Sequence, residues 1–160
     1  NNAGVAVYGL IQEIEDDQWN RVFATNVNGM FYCVRRALPA MISQKWGRII
    51  NISSMWGQVG ASCEVLYSAT KGAVDAFTKA AAKELIYSGI TVNAVSPGVV
   101  DTAMMRAMGE ETCQSVVEEI PLGRALQPEE IARWVAHFAS DASDAVTGQI
   151  LGINGGMEIH

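Results

Sequence analysis

Tyr67 and Lys71 stand four residues apart. On a helix this spacing puts both side chains on one face, with the ammonium beside the phenol. A neighbouring cation favours phenolate, which predicts a tyrosine pKa below the reference of about 10 and a group able to give or take a proton near neutrality. Three other features accompany the pair. Ser54 follows a β-rich run thirteen residues before Tyr67, Pro97 and Gly98 close the next such run, and Asn26 lies within a long helical pattern.

The elements that must position these residues follow from hydrophobic periodicity. Trp19, Val22, Phe23, Val27, Met30, Val34, Leu38 and Met41 recur at three- and four-residue steps behind the acids Glu15, Asp16 and Asp17, which predicts one helix over 15–42. A strand is predicted over 48–52, then a glycine-containing loop through Gly57 and Gly60. An alanine-rich helix follows over 64–87, closed by Ser88 and Gly89, and a buried strand over 90–95, stopped by Ser96, Pro97 and Gly98. Residues 104–119 form a variable helical stretch, Pro128 sits near the first turn of a helix over 129–140, and 149–154 is a last strand. Strands alternating with long helices imply parallel strands joined by crossovers, an α/β fold.

Composition excludes several classes. The 160 residues suit one domain, and 49% apolar against 18% charged residues supports a packed core rather than disorder. Seventeen acids against eleven scattered bases give a net charge of -6, without the basic footprint of a nucleic-acid binder. No apolar run reaches the length needed to span a bilayer. Cys33, Cys63 and Cys113 form no C-x-x-C pair, which argues against a disulfide framework or a zinc site and for a reducing cytoplasm. No metal site is expected.

Six ordered segments carry a resemblance: Asn-Asn-Ala-Gly at 1–4, Thr-Asn-Val-Asn-Gly at 25–29, Gly-Arg-Ile-Ile-Asn-Ile-Ser-Ser at 47–54, Tyr-Ser-Ala-Thr-Lys at 67–71, Val-Asn-Ala-Val-Ser-Pro-Gly at 92–98 and Gly-Gln-Ile-Leu-Gly-Ile-Asn-Gly-Gly at 148–156. Together they resemble the short-chain dehydrogenase/reductase family. The resemblance implies a doubly wound, Rossmann-like parallel sheet and an NAD(P)-dependent oxidoreductase that turns a ketone into a secondary alcohol. By the same resemblance Tyr67 exchanges the proton at the carbonyl oxygen, and Ser54 holds that oxygen. Lys71 tunes Tyr67 and grips the nicotinamide ribose, and Asn26 anchors a water that continues the proton relay. Pro97, Gly98 and Thr102 correspond to the segment lining the nicotinamide, and Asn2, Ala3 and Gly4 to the adenosine side. Asn28 and Ser53 are the near competitors of Asn26 and Ser54; register favours the latter two.

The chain contains neither G-x-G-x-x-G nor T-G-x-x-x-G-x-G, although the family cradles its cofactor phosphates on such a loop. The expectation is an incomplete fold, its C-terminal two-thirds with the first strands missing, as a single partial domain over 1–160. It would then be a truncated enzyme or, alternatively, a non-catalytic assembly fragment. The resemblance also implies a homodimer or homotetramer and favours NADP, with NAD possible.

For the substrate, Pro121-Leu122-Gly123-Arg124 and Asn154-Gly155-Gly156-Met157 are most similar to bacterial beta-ketoacyl-acyl-carrier-protein reductases. An acidic carrier needs basic docking residues; Arg48 is present, whereas Ser88 stands where those reductases usually carry Arg. The loop 53–64 also resembles a subgroup that reduces an aminopentanone group on a lysine of elongation factor P. There Glu64 could meet an amine, or simply sit in the first turn of a helix, where its charge is favourable. Met104, Met105 and Met108 either line an acyl pocket or pack their own loop.

Overall fold

The structure is a computed structural model that describes residues 1–159. The acids that open the first helical pattern act as expected. Glu15 is the N-cap of α1 (Asp16–Phe23), and Gln18 reaches back to accept its backbone N–H at 3.0 Å. The predicted single helix is not continuous, however. A five-residue π turn, Ala24–Asn28, separates α1 from α2 (Gly29–Gln44), with the Gly29 amide donating to the Ala24 carbonyl. Single π turns of this kind gather at functional sites, and this one carries Asn26. Lys45 ends α2 in the left-handed region at φ 52°.

β1 (Gly47–Ile52) is followed by a short helix α3 (Trp56–Val59), then by α4 (Val65–Leu85), the long helix of Tyr67 and Lys71. β2 (Ile90–Pro97) runs two residues beyond the predicted stop. Pro97 lacks an N–H, but as the last strand residue it is needed only as an acceptor, here for the Met55 amide at 3.0 Å. The helical stretch after it is two helices, α5 (Ala103–Arg106) and α6 (Glu110–Glu118), parted at Gly109, whose φ of 89° breaks the helix. α7 (Pro128–Ala139) starts on its proline, and β3 (Ile150–Ile153) closes the sheet.

The three strands are parallel in the order β1-β2-β3, with Gly47 beside Ile90 through Ile52 beside Val95 and Ala94 beside Ile150. Asn1 lies on the other edge of β1, accepting the Ile52 amide at 2.9 Å. Helices cover both faces, as parallel sheets require. Ile49 and Val92 pack with Val34 of α2 and Leu85 of α4. Ile50 and Val95 pack with Ile131 and Phe138 of α7 on the opposite face. Every residue of β2 is buried, so its C-terminal end is a rigid floor for whatever sits above it. No helix among the described residues is long and apolar enough to cross a membrane.

Candidate active site

The C-terminal ends of β1 and β2, the π turn and the first turns of α4 meet at one place, and the predicted residues meet with them. α4 carries Tyr67 and Lys71 on one face, with the Lys71 Nζ 5.4 Å from the centre of the Tyr67 ring. Lys71 is only 4% exposed, and its ammonium donates to the Ile52 carbonyl at 2.7 Å, where β1 ends. Ser54 is buried on the loop after β1 and interacts with the Tyr67 phenol.

Asn26 is 3% exposed, whereas Asn28 faces solvent. The Asn26 side chain accepts from the Val5 amide and donates to the Val5 carbonyl, both at 2.9 Å, and its Nδ2 also donates to Thr70 Oγ1 at 3.0 Å. It therefore ties the segment 1–7 to α4. Thr70, fully buried and itself donating to the Tyr67 carbonyl at 2.8 Å, is a member of this network that sequence reasoning passed over. Its position one residue before Lys71 was the available signal.

Gly4 sits between the two key groups. A methyl there would lie 3.6 Å from Asn26 Oδ1 and 3.7 Å from Lys71 Nζ, so the glycine leaves room beside the ammonium. Asn2 and Ala3 line a cleft of about 230 Å³ with Asn26, Gly29 and Lys71. Ser53 takes a backbone role, its amide donating to Val95 O at 2.8 Å. Gly98 lies so close to Asn154 that a Cβ would come within 2.8 Å of its Cα. Thr102 is not drawn into the cluster; its hydroxyl accepts the Met105 amide at 3.4 Å as the cap of α5.

Gly57 is equally constrained. A Cβ would stand 2.7 Å from the carbonyl carbon of Lys71 and 2.9 Å from its Cβ, so the loop packs directly on the α4 backbone. Gly57→Ala is expected to lower stability by about 1–3 kcal/mol, read from urea unfolding, because neither backbone can yield. An unchanged midpoint would mean the loop sits less tightly.

Electrostatics correct two expectations. The Tyr67 pKa is pushed up to about 12, not down: burial dominates and the charge of Glu64 adds to it, with Ser54 acting in the opposite sense. Lys71 is itself drawn down to about 8 by burial, against the pull of Asp75. The second correction concerns Arg48. Its side chain is 7% exposed, pairs with Asp144, lies 3.9 Å from Asp141 and stacks over Trp46 at 5.0 Å, so it is not a free docking cation.

Glu64 is 6% exposed, and its pKa is raised by burial, with hydrogen bonding to Tyr8 and Trp56 working against the rise. Among the described residues no Lys, Arg or His lies within ion-pair distance of it. Tyr8, unremarked in the sequence, also lies with its hydroxyl 3.3 Å from Met108 Sδ. No group of three or more His, Cys, Asp or Glu among the described residues could hold a metal. The site is thus a half-buried phenol with a buried hydroxyl and a buried ammonium around it, suited to moving one proton at a bound oxygen.

A family model described as enoyl-(acyl carrier protein) reductase matches residues 1–158. Among curated proteins the chain is 44% identical over 155 residues to the uncharacterized oxidoreductase YmfI of Bacillus subtilis, covering 97% of this chain and 64% of that protein. It is 43% identical over 157 residues to the 3-oxoacyl-[acyl-carrier-protein] reductase FabG of Staphylococcus aureus, covering 98% and 64%. Among solved structures, the 3-oxoacyl-[acyl-carrier protein] reductase of Brucella melitensis superposes with a TM-score of 0.95 at 34% identity, covering 100% of this chain and 62% of that one. A protein of Beutenbergia cavernae described as an NAD(P)-dependent gluconate 5-dehydrogenase, with NADP bound at low occupancy, gives a TM-score of 0.94 at 34% identity, covering 98% and 64%. The chain therefore spans about 64% of the length of the curated relatives it matches.

Proposed function

This chain belongs to the short-chain dehydrogenase/reductase family, and we propose that it provides the catalytic row of a nicotinamide-dependent enzyme that reduces a ketone to a secondary alcohol, with beta-ketoacyl thioesters as the substrate class. The observation that carries the proposal is Tyr67 with Lys71 beneath it and Ser54 beside it, at the joint end of two parallel strands. The reductase relatives support the thioester.

The room that Gly4 leaves beside the ammonium and the exposure of Asn2 and Ala3 support a cofactor place here, where Lys71 would hold ribose hydroxyls with residues 2–4 alongside. Pro97 and Gly98 would line the nicotinamide, and Thr102 would lie beyond them. Bound NADPH, or NADH in its place, supplies the hydride. The chain's own part is to place Ser54 as a donor to the carbonyl oxygen and to deliver the Tyr67 proton to that oxygen. Asn26 keeps segment 1–7 against α4 and stands at the inner end of the relay from Lys71. Exposed Phe31 and Tyr32 on α2 and Val65 on α4 support a homodimer or homotetramer through these helices.

The test is NADPH consumption by the chain with an acetoacetyl thioester, alongside a fluorescence titration with NADPH and NADH. Turnover with loss of the ketone supports the reading, and absence of both binding and turnover overturns it.

A second reading has its own support. Arg48 is committed to Asp144, Ser88 is neutral, and Glu64 is a buried acid without a cation beside Tyr67. These favour a ketone that carries an ammonium, such as an aminopentanone on a protein lysine. Glu64→Gln is then expected to lower kcat/KM for aminopentanone-modified elongation factor P by about tenfold to a hundredfold, and to shift the preference toward the thioester. An unchanged preference removes this reading.

A further inference from the structure

We propose that Asp75 is a positioning residue for Lys71: a buried carboxylate, one turn further along α4, that keeps the Lys71 side chain charged and directed at the end of β1. The inference rests on the reading of Lys71 given above and adds a group that reading does not contain.

Three observations converge on it. Lys71 and Asp75 are four residues apart on the face of α4 turned to the sheet, and they are 4% and 5% exposed. Residues at this spacing are neighbours on a helix surface. Second, both carboxylate oxygens of Asp75 are buried without a hydrogen-bond partner. Thr78 Oγ1 donates to the Val74 carbonyl at 2.8 Å and Asn51 Nδ2 donates to Thr78 at 2.8 Å; the Ser53 hydroxyl, 3.4 Å from the Lys71 carbonyl, is the one nearby donor that also acts on Asp75. Third, the partner of the Lys71 ammonium is a neutral carbonyl, that of Ile52.

A lone buried ion is costly: burial raises the Asp75 pKa toward the neutral acid, and a hydrogen bond from Ser53 and the charges of Lys79 and Lys71 work against that rise to keep it ionised. The groups facing the pair leave few alternatives. Around Lys71 stand the phenol of Tyr67 and the thiol of Cys33. Around Asp75 stand Ser53 and Lys79, and Lys79 is exposed. Asp75 is the acid that acts on Lys71, and the pull is reciprocal. The structure makes the two a through-space pair rather than a contact ion pair, since no ion pair within 4 Å joins them.

The test reads Lys71 directly, so that it stands apart from the choice of substrate. With four lysines in the chain, the side-chain 13Cε and 15Nζ resonances can be followed against pH, with Lys71→Met identifying the signal. Asp75→Asn keeps the shape of the side chain and removes its charge. It is expected to lower the Lys71 titration midpoint by about one pH unit, a tenfold change in its protonation equilibrium. In the reciprocal arm, Lys71→Met is expected to raise the midpoint of the Asp75 carboxyl, followed by its 13Cγ shift; this arm serves if Asp75→Asn does not fold. Midpoints that stay in place in the arm measured overturn the proposal. If the proposed function is wrong instead, no ketone turns over, yet the Lys71 and Asp75 midpoints still move together.

Discussion

Tyr67→Phe is expected to reduce turnover by about 10²- to 10⁴-fold while leaving the unfolding midpoint close to that of the parent chain. The ring stays and fills the same space on α4, so packing between α4 and the loop after β1 is retained; only the hydroxyl beside Ser54 is lost. The direction of the Tyr67 shift makes the expected loss specific to proton delivery. Burial and Glu64 hold the phenol protonated up to about pH 12, so at neutral pH the group is a donor in place, as ketone reduction needs. Steady-state kinetics with thermal unfolding on the same samples checks this. Loss of structure together with activity would assign Tyr67 a packing role, and retained turnover would move the proton source elsewhere.

Lys71→Met is expected to lower kcat/KM comparably and, unlike Tyr67→Phe, to change how stability depends on pH. Methionine nearly matches the length of the lysine stem and removes an ammonium that burial has already drawn down from 10.5 to about 8. The sign follows from proton counts. Between about pH 8 and 10.5 the unfolded chain binds the Lys71 proton and the folded chain does not, so stability rises with pH across that window. Below pH 8 the destabilisation is present in full. The methionine variant is expected to lose the Lys71 share of the rise above pH 8. At pH 7 the relief from a buried ammonium is offset by the Ile52 carbonyl, left without its donor, and by Asp75, left without its opposite charge. Unfolding midpoints across pH 7–10 measure it, and a parent-like rise in the variant would show that the shift belongs to another group.

Much of this was legible from local pattern. Tyr67 and Lys71 had to share a face of α4 because four residues is close to a helical turn, and β1 and β2 are apolar runs bounded by turn residues; Ser54 joined them only through the family resemblance. Properties set by neighbours distant in sequence were not legible. The π turn depends on Asn26 bonding Val5 and Thr70, which lie 21 and 44 residues away. Ser96 and Pro97 read as breakers because nothing local shows that Gly152 and Ile153 pair with them. Arg48 resembled a docking cation until Asp144, 96 residues on, was seen to take it. The rise in the Tyr67 pKa reversed a local inference, since desolvation of the whole site outweighs one cation across a helix turn.

The contact of Gly57 with the Lys71 backbone bears on motion. Loop and helix are pressed together without a side chain between them, so residues 53–60 and the first half of α4 must travel as one rigid piece. Slow amide exchange is therefore anticipated along that seam, in contrast to the turn at Gly109 between α5 and α6, which has open space around it. Alterations in the Gly57 loop would accordingly reset the catalytic row itself.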